Sequence, residues 1–264
     1  MTEPVAVTVA DTVRWLHEEG LVRLAGVCER SVHPIAAFTV DVATGTVGAH
    51  PASGAGSDVS TLAADDLPHP VGTPRRLVIV GVTASEAMLV VDLSAALTIS
   101  INADQPEEAA RSWVLQLLLN PDIAISTNSA AVAIGNSPRC RRSFIPGGSA
   151  TIINVDDSNP PLTTVTLNAA VEGPDHLDIE PDGTGEMYLG SRFWSLRQVM
   201  AVGDDAWSRL IDQMSGSPQS PDSTPAEATP DTAGTPPATT VAPPSGAVAP
   251  PPRGAFAPEL SENR

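Results

Sequence analysis

Lysine is absent from this chain: all 14 of its basic residues are arginine. Together with abundant alanine and 26 prolines, that matches a high-GC bacterial coding background, a plainer account than any functional one. Aromatic residues are also scarce, 3% against 42% hydrophobic overall, so the core must be built from Val, Leu, Ile and Ala. Only two cysteines occur, Cys28 and Cys140, far apart and without a CxxC pair. That excludes a disulfide framework and a cysteine-rich zinc site, and predicts two reduced, buried thiols, with one long-range bridge as the alternative. No run approaches eighteen apolar residues, so no membrane insertion is expected. The first residues lack a basic segment followed by an apolar one, which argues against a signal peptide and makes a cytoplasmic location the default expectation. Positive charge is short as well. A net charge of −17 opposes direct nucleic-acid binding, which needs clustered cations to displace counterions.

Catalytic patterns are missing too. The histidines at 17, 33, 50, 69 and 176 form no HxH, HxxxH or HExxH spacing, and there is no GxSxG elbow. Cys140 has arginine neighbours whose charge would lower its pKa, but no base accompanies it. Asp156-Asp157 closes an apolar strand, a place where carboxylates can hold magnesium or activate water. The Ser158-Asn159-Pro160-Pro161 sequence that follows favours a plain turn. No catalytic residue, metal ligand or cofactor is therefore assigned, and the chain is expected not to be an enzyme. The alternative is an enzyme whose Asp104, Asp156 and Asp157 converge in one pocket.

Hydropathy divides the chain at about residue 214. Residues 215–264 are rich in Pro, Ala and Thr, with few branched apolar side chains, and are expected to be a disordered tail or a semi-rigid spacer. Residues 1–214 read as a folded α/β domain. A helix is predicted over Val9–Glu19, with Asp11 as a candidate cap, and a hairpin over Ala36–Val42 and Thr46–His50. Residues 51–74 read as a long loop with a short helix near Leu62. Three continuous apolar runs, Leu77–Val82, Met88–Leu93 and Leu97–Ile101, suit strands buried on both faces. A helix over Pro106–Leu119 behind Asp104, then a strand at Ile123–Thr127, predicts a parallel crossover. Strands are expected at Ala150–Val155, Leu162–Ala170, His176–Ile179 and Glu186–Leu189, and helical pieces at Ser195–Met200 and Asp204–Met214. The fold class is thus α/β with a mixed, largely parallel sheet, flanking helices and hairpins.

Leu89–Leu93 (LVVDL), Leu97–Asp104 (LTISINAD) and the helix from Glu107 follow the order of a strand, a turn and a strand feeding a phosphate-loop helix. This layout resembles the degenerate third ATPase module of FtsK/EccC-type secretion motors. It looks more like the middle region of large actinobacterial proteins that combine a LysM repeat with a bacterial transcriptional activator domain. Asp182-Gly183, the helix Ala206–Met214 and the proline-rich stretch from Ser215 match the end of that region. The resemblance implies a degenerate P-loop-like scaffold and, as a further alternative, a transcription-related regulator. A working loop needs glycines, a lysine and a hydroxyl residue. Positions 102–109 instead read Asn-Ala-Asp-Gln-Pro-Glu-Glu-Ala, with Glu108 at the lysine position, so ATP binding is not expected. The chain carries no LysM repeat or activator domain, so the DNA- and wall-binding roles of such proteins are not implied.

What remains is a protein-binding or regulatory scaffold. Arg139, Arg141, Arg142 and Phe144 form the most unusual surface-type sequence and suit an acidic or phosphorylated protein partner. Phe193 and Trp194 form a second candidate edge. The competing readings are self-neutralisation for the arginines and core packing for the aromatics.

Overall fold

The computed structural model describes residues 7–53, 58–135, 137–145, 150–156, 162–169 and 173–215. The proline-rich tail beyond Ser215, together with Asp157 and Pro146-Gly147-Gly148, lies outside the described residues. All described residues fall in one compact unit.

The first helix runs further than its sequence suggests. α1 (Val9–Trp15) opens with a capping box in which Thr8 is the cap and Asp11 answers it from the third helical position. A π-type turn, Leu16–Gly20, then passes directly into α2 (Leu21–Arg30). Gly20 reads as a stop in sequence. In the fold it is covered by the Trp15 ring, which a Cβ there would meet at 2.9 Å.

Thirteen strands follow: β1 (Ile35–Asp41), β2 (Val47–Pro51), β3 (Ser60–Leu62), β4 (Leu77–Thr83), β5 (Ala87–Asp92), β6 (Thr98–Asn102), β7 (Ile125–Thr127), β8 (Cys140–Arg142), β9 (Thr151–Val155), β10 (Thr163–Leu167), β11 (His176–Ile179), β12 (Gly185–Leu189) and β13 (Arg192–Val199). They form one sheet in the order β3-β2-β1-β5-β4-β13-β12-β11-β6-β10-β9-β7-β8. Between β6 and β7 lies α3 (Pro106–Leu118), and α4 (Asp204–Ser215) follows β13.

The class is α/β and the sheet is mixed, but it is not largely parallel. Nine of the twelve pairings among the described residues are antiparallel, and only β6–β10, β6–β11 and β7–β8 are parallel. The reason lies in β4 and β5. Each is buried along its whole length, as the apolar runs predict, yet the two form an antiparallel pair. What their composition reports is cover on both faces. Phe38, Met88 and Val90 pack with Leu16 and Leu24 on one side, while Leu89 and Val91 belong to the cluster around Trp113 on the other.

Two other readings need correction, and a third is refined. Ser60–Leu62 is an edge strand on β2, and the helical turn there comes later, at Ala64–Asp66. Ser195–Met200 is not helical: Ser195–Val199 belongs to β13, which turns back from β12 through a two-residue loop with Gly190 at φ +59°. The crossover from β6 through α3 to β7 exists, but β10 and β9 lie between the two strands.

α3 is buried on several sides, with nine of its thirteen residues inside. Arg111 ties it to α4, donating to Asp204 at 2.6 Å and lying 5.6 Å over the Trp207 ring. α3 also completes β4. β13 pairs with β4 only over Gly81–Thr83, and its last contact is Met200 N–H to the Val80 carbonyl. Below that point the Gln116 amide accepts from Ile79 N–H at 2.7 Å and donates to the Ile79 carbonyl at 3.0 Å. A side chain thus stands in for a strand.

Candidate functional site

From β13 to β8 the sheet has a buried face and an open one. Along β10 and β12 burial alternates strictly, as expected for strands covered on one side. The register aligns Phe193, Tyr188, His176, Ser100 and Thr166 in one row across five strands. A second row on the same face joins Thr98, Thr164, Asn154, Ser126 and Arg141. Phe193 and Arg141 therefore share a face, about 34 Å apart at ~4.8 Å per strand. Trp194 alternates to the other side, where it packs on the core and meets His50 edge-on at 5.2 Å.

The side chains of the open face organise one another. Tyr188 stacks between His176 at 4.5 Å and Phe193 at 6.0 Å. Asn102 donates to Asp178 at 2.8 Å, Ser100 and Thr166 share a hydrogen bond at 3.1 Å, and Thr164 donates to Asn154. The face offers amide, hydroxyl and carboxylate groups, except at Ser100 and Ser126, which are buried among their neighbours. Tyr188, His176 and Asp178 went unassigned in the sequence, although their period-two alternation with buried Met187 and Leu177 is the signal that marks them.

At the far edge, the four residues singled out around Cys140 separate by role. Arg139 is a structural cap. Its guanidinium donates to the carbonyls of Asn120 (2.6 Å), Leu118 (2.7 Å) and Ile123, closing the C-terminal end of α3. Arg141 and Arg142 are exposed on β8, the terminal strand of the sheet. Phe144 stands 91% exposed just beyond them, and Phe193 is 62% exposed at the opposite end of the face.

The cysteines are free, with Cys140 buried and Cys28 half-buried. The expectation that arginines activate Cys140 is reversed, because burial raises its pKa. Burial and the neighbouring Asp92 push the Cys28 thiol up to about 12.

Of the carboxylates proposed for an enzyme, the two that are described, Asp104 and Asp156, do not come together. Asp156, in the left-handed region at φ +74°, ion-pairs with Arg76 at a pocket of about 290 Å³ that also holds Arg75 and Asn120. Asp104 lines a different pocket, of about 300 Å³, beside Glu108 and Glu180. The two pockets lie at opposite ends of α3, roughly 20 Å apart at ~1.5 Å per residue. The cap of α3 is Gln105, without a side-chain hydrogen bond, so Asp104 does not play the capping part. Among the described residues no group of three His, Cys, Asp or Glu is placed to hold a metal, and no helix is long and apolar enough to cross a membrane.

Compared with known protein families, with curated proteins and with solved structures, the chain matches none.

Proposed function

We propose that the protein is a non-catalytic binding module that recognises a protein partner through the open face of β6–β13 and the β8 edge. One observation carries the reading. Of the three phenylalanines among the described residues, Phe38 is buried, while Phe193 stands in solvent on that face and Phe144 in solvent just past the β8 edge. In a chain so poor in aromatics, placing two of them outside sacrifices apolar burial, and aromatic residues beside arginine are the usual anchors of interfaces. The face covers roughly 500 Å², about two-thirds of one side of a standard protein interface. Arg141 and Arg142 suit carboxylates on the partner through charge-assisted, two-pronged hydrogen bonds. The absence of catalysis is part of this reading. The loop after β6 and the first turn of α3 present Asp104 and Glu108 where a nucleotide phosphate would need cations, and like charges at that range repel.

The test compares partners recovered from the source organism by the full chain and by a Phe144→Ser/Phe193→Ser variant, identified by mass spectrometry. Loss of the same specific partner from the variant supports the reading. A partner retained in full by the variant moves binding elsewhere. Saturable binding of ATP with magnesium in calorimetry would overturn the non-catalytic half of the proposal.

A further inference from the structure

A second, unrelated feature lies where the sheet opens. Beyond Met200, the last residue bonded to β4, a cleft of about 480 Å³ is lined by residues of α3 and α4. Its apolar walls are Leu115 and Leu118 of α3, Leu119 just after it, Leu210 and Met214 of α4, and Met200. That volume and apolar character fall in the range of small-molecule sites.

Three observations say what kind of molecule the cleft suits. First, no acidic residue among the described residues lines it, and its one permanently charged wall residue among them is Arg139. The bonds of Arg139 to the Leu118, Asn120 and Ile123 carbonyls run through its terminal nitrogens, and its Nε hydrogen has no bond among the described residues. A helix end carries about half a negative charge, so the arginine leaves the lining net positive by roughly half a unit. Second, His17 lines the same cleft, and its Nδ1 is buried with no hydrogen-bond partner. An orphaned buried polar atom is costly, and a ligand that supplies its partner is stabilised accordingly. Third, His17 sits in the π-type turn between α1 and α2, a local departure from helical geometry that often accompanies binding sites. Gln116, by contrast, is fully engaged with Ile79 and Ser112 and offers the ligand nothing.

We propose that this cleft binds a linear aliphatic carboxylate of the fatty-acid class, with its chain between α3 and α4 and its head at Arg139. The test titrates the full chain with dodecanoate, below its micellar concentration, in a calorimeter. Saturable binding of one molecule per chain is expected. Leu119 and Met214 are 64% and 53% exposed at the rim, so Leu119→Glu and Met214→Glu leave the fold intact, as circular dichroism melting will verify. Each is expected to weaken dodecanoate at least tenfold while changing dodecanol binding by less. Absence of saturable binding, equal affinity for dodecyltrimethylammonium, or unchanged affinity in both variants would each overturn the proposal. None of these outcomes bears on the open sheet face, whose variants are separate.

Discussion

β4 and β5 are buried at every position, whereas β10 and β12 alternate between the core and an open polar face. Both regions belong to one sheet, and both are built mainly from β-branched and aliphatic residues. The difference is cover. The first region is sandwiched between α1–α2 and α3, the second only backs onto α3 and α4. A continuous apolar run therefore reports the number of helical layers around a strand and says nothing of its direction, since β4 and β5 are antiparallel.

The contrast can be broken most strongly from its buried side. Leu89→Ala in β5 is expected to cost about 2–5 kcal/mol in urea unfolding, because the two-sided packing cannot collapse into the space left. A loss below about 1 kcal/mol would mean that β5 is not covered as described. Next comes the cap of α3. Arg139→Gln removes charge-assisted bonds to the Leu118 and Asn120 carbonyls, with an expected loss of about 2 kcal/mol. Arg142→Gln, on the exposed edge, should stay within about 0.5 kcal/mol, and equal losses for the two would cancel the distinction drawn between them.

A pH effect of intermediate size comes from His50, where β2 meets Trp194. Burial, with Arg192 adding repulsion, lowers its pKa to about 4. In the unfolded chain it titrates near 6.5, so between these values the unfolded state binds more protons. Stability is then full above pH 6.5 and falls as pH drops toward 4. Because the ring is only half-buried, the amplitude is about 1 kcal/mol or less. His50→Gln should remove that part of the slope, and a difference curve that rises toward acid would show the sign to be wrong. The smallest effect belongs to the open face. Thr166→Ala deletes one cross-strand hydrogen bond, at an expected cost of about 0.5 kcal/mol. A loss several times larger would show that this face is covered.

Much of this architecture is legible in the sequence. The first hairpin, the three apolar strands, α3 with its proline at the first turn, and α4 all lie where residue pattern places them. β13 is not legible, for a definable reason. Its register shifts between Leu196 and Gln198, so the inward residues run Trp194, Leu196, Val199, and a spacing of two followed by three imitates a helix. The candidate site was visible only in part. Phe144, Phe193 and the exposed arginines stand out by composition. Arg139 looks identical to its neighbours in sequence, and only the tertiary approach of β8 to the end of α3 assigns it a different role. The cleft between α3 and α4 has no sequence signature, because its walls come from five separate segments.

The pairing of β4 with β13 also has a consequence in time. When the ribosome has released β1 to β5, the outer edge of β4 still waits for a partner encoded roughly a hundred residues later, on the order of 5–20 s of synthesis. An unpaired apolar edge is a template for pairing with another nascent chain. Gln116 is encoded early in that interval, and its two bonds to Ile79 cover part of the edge without any help from β13. Gly81 keeps the remainder receptive, since any Cβ there would stand 2.2 Å from the Gln198 carbonyl oxygen and bar the late strand.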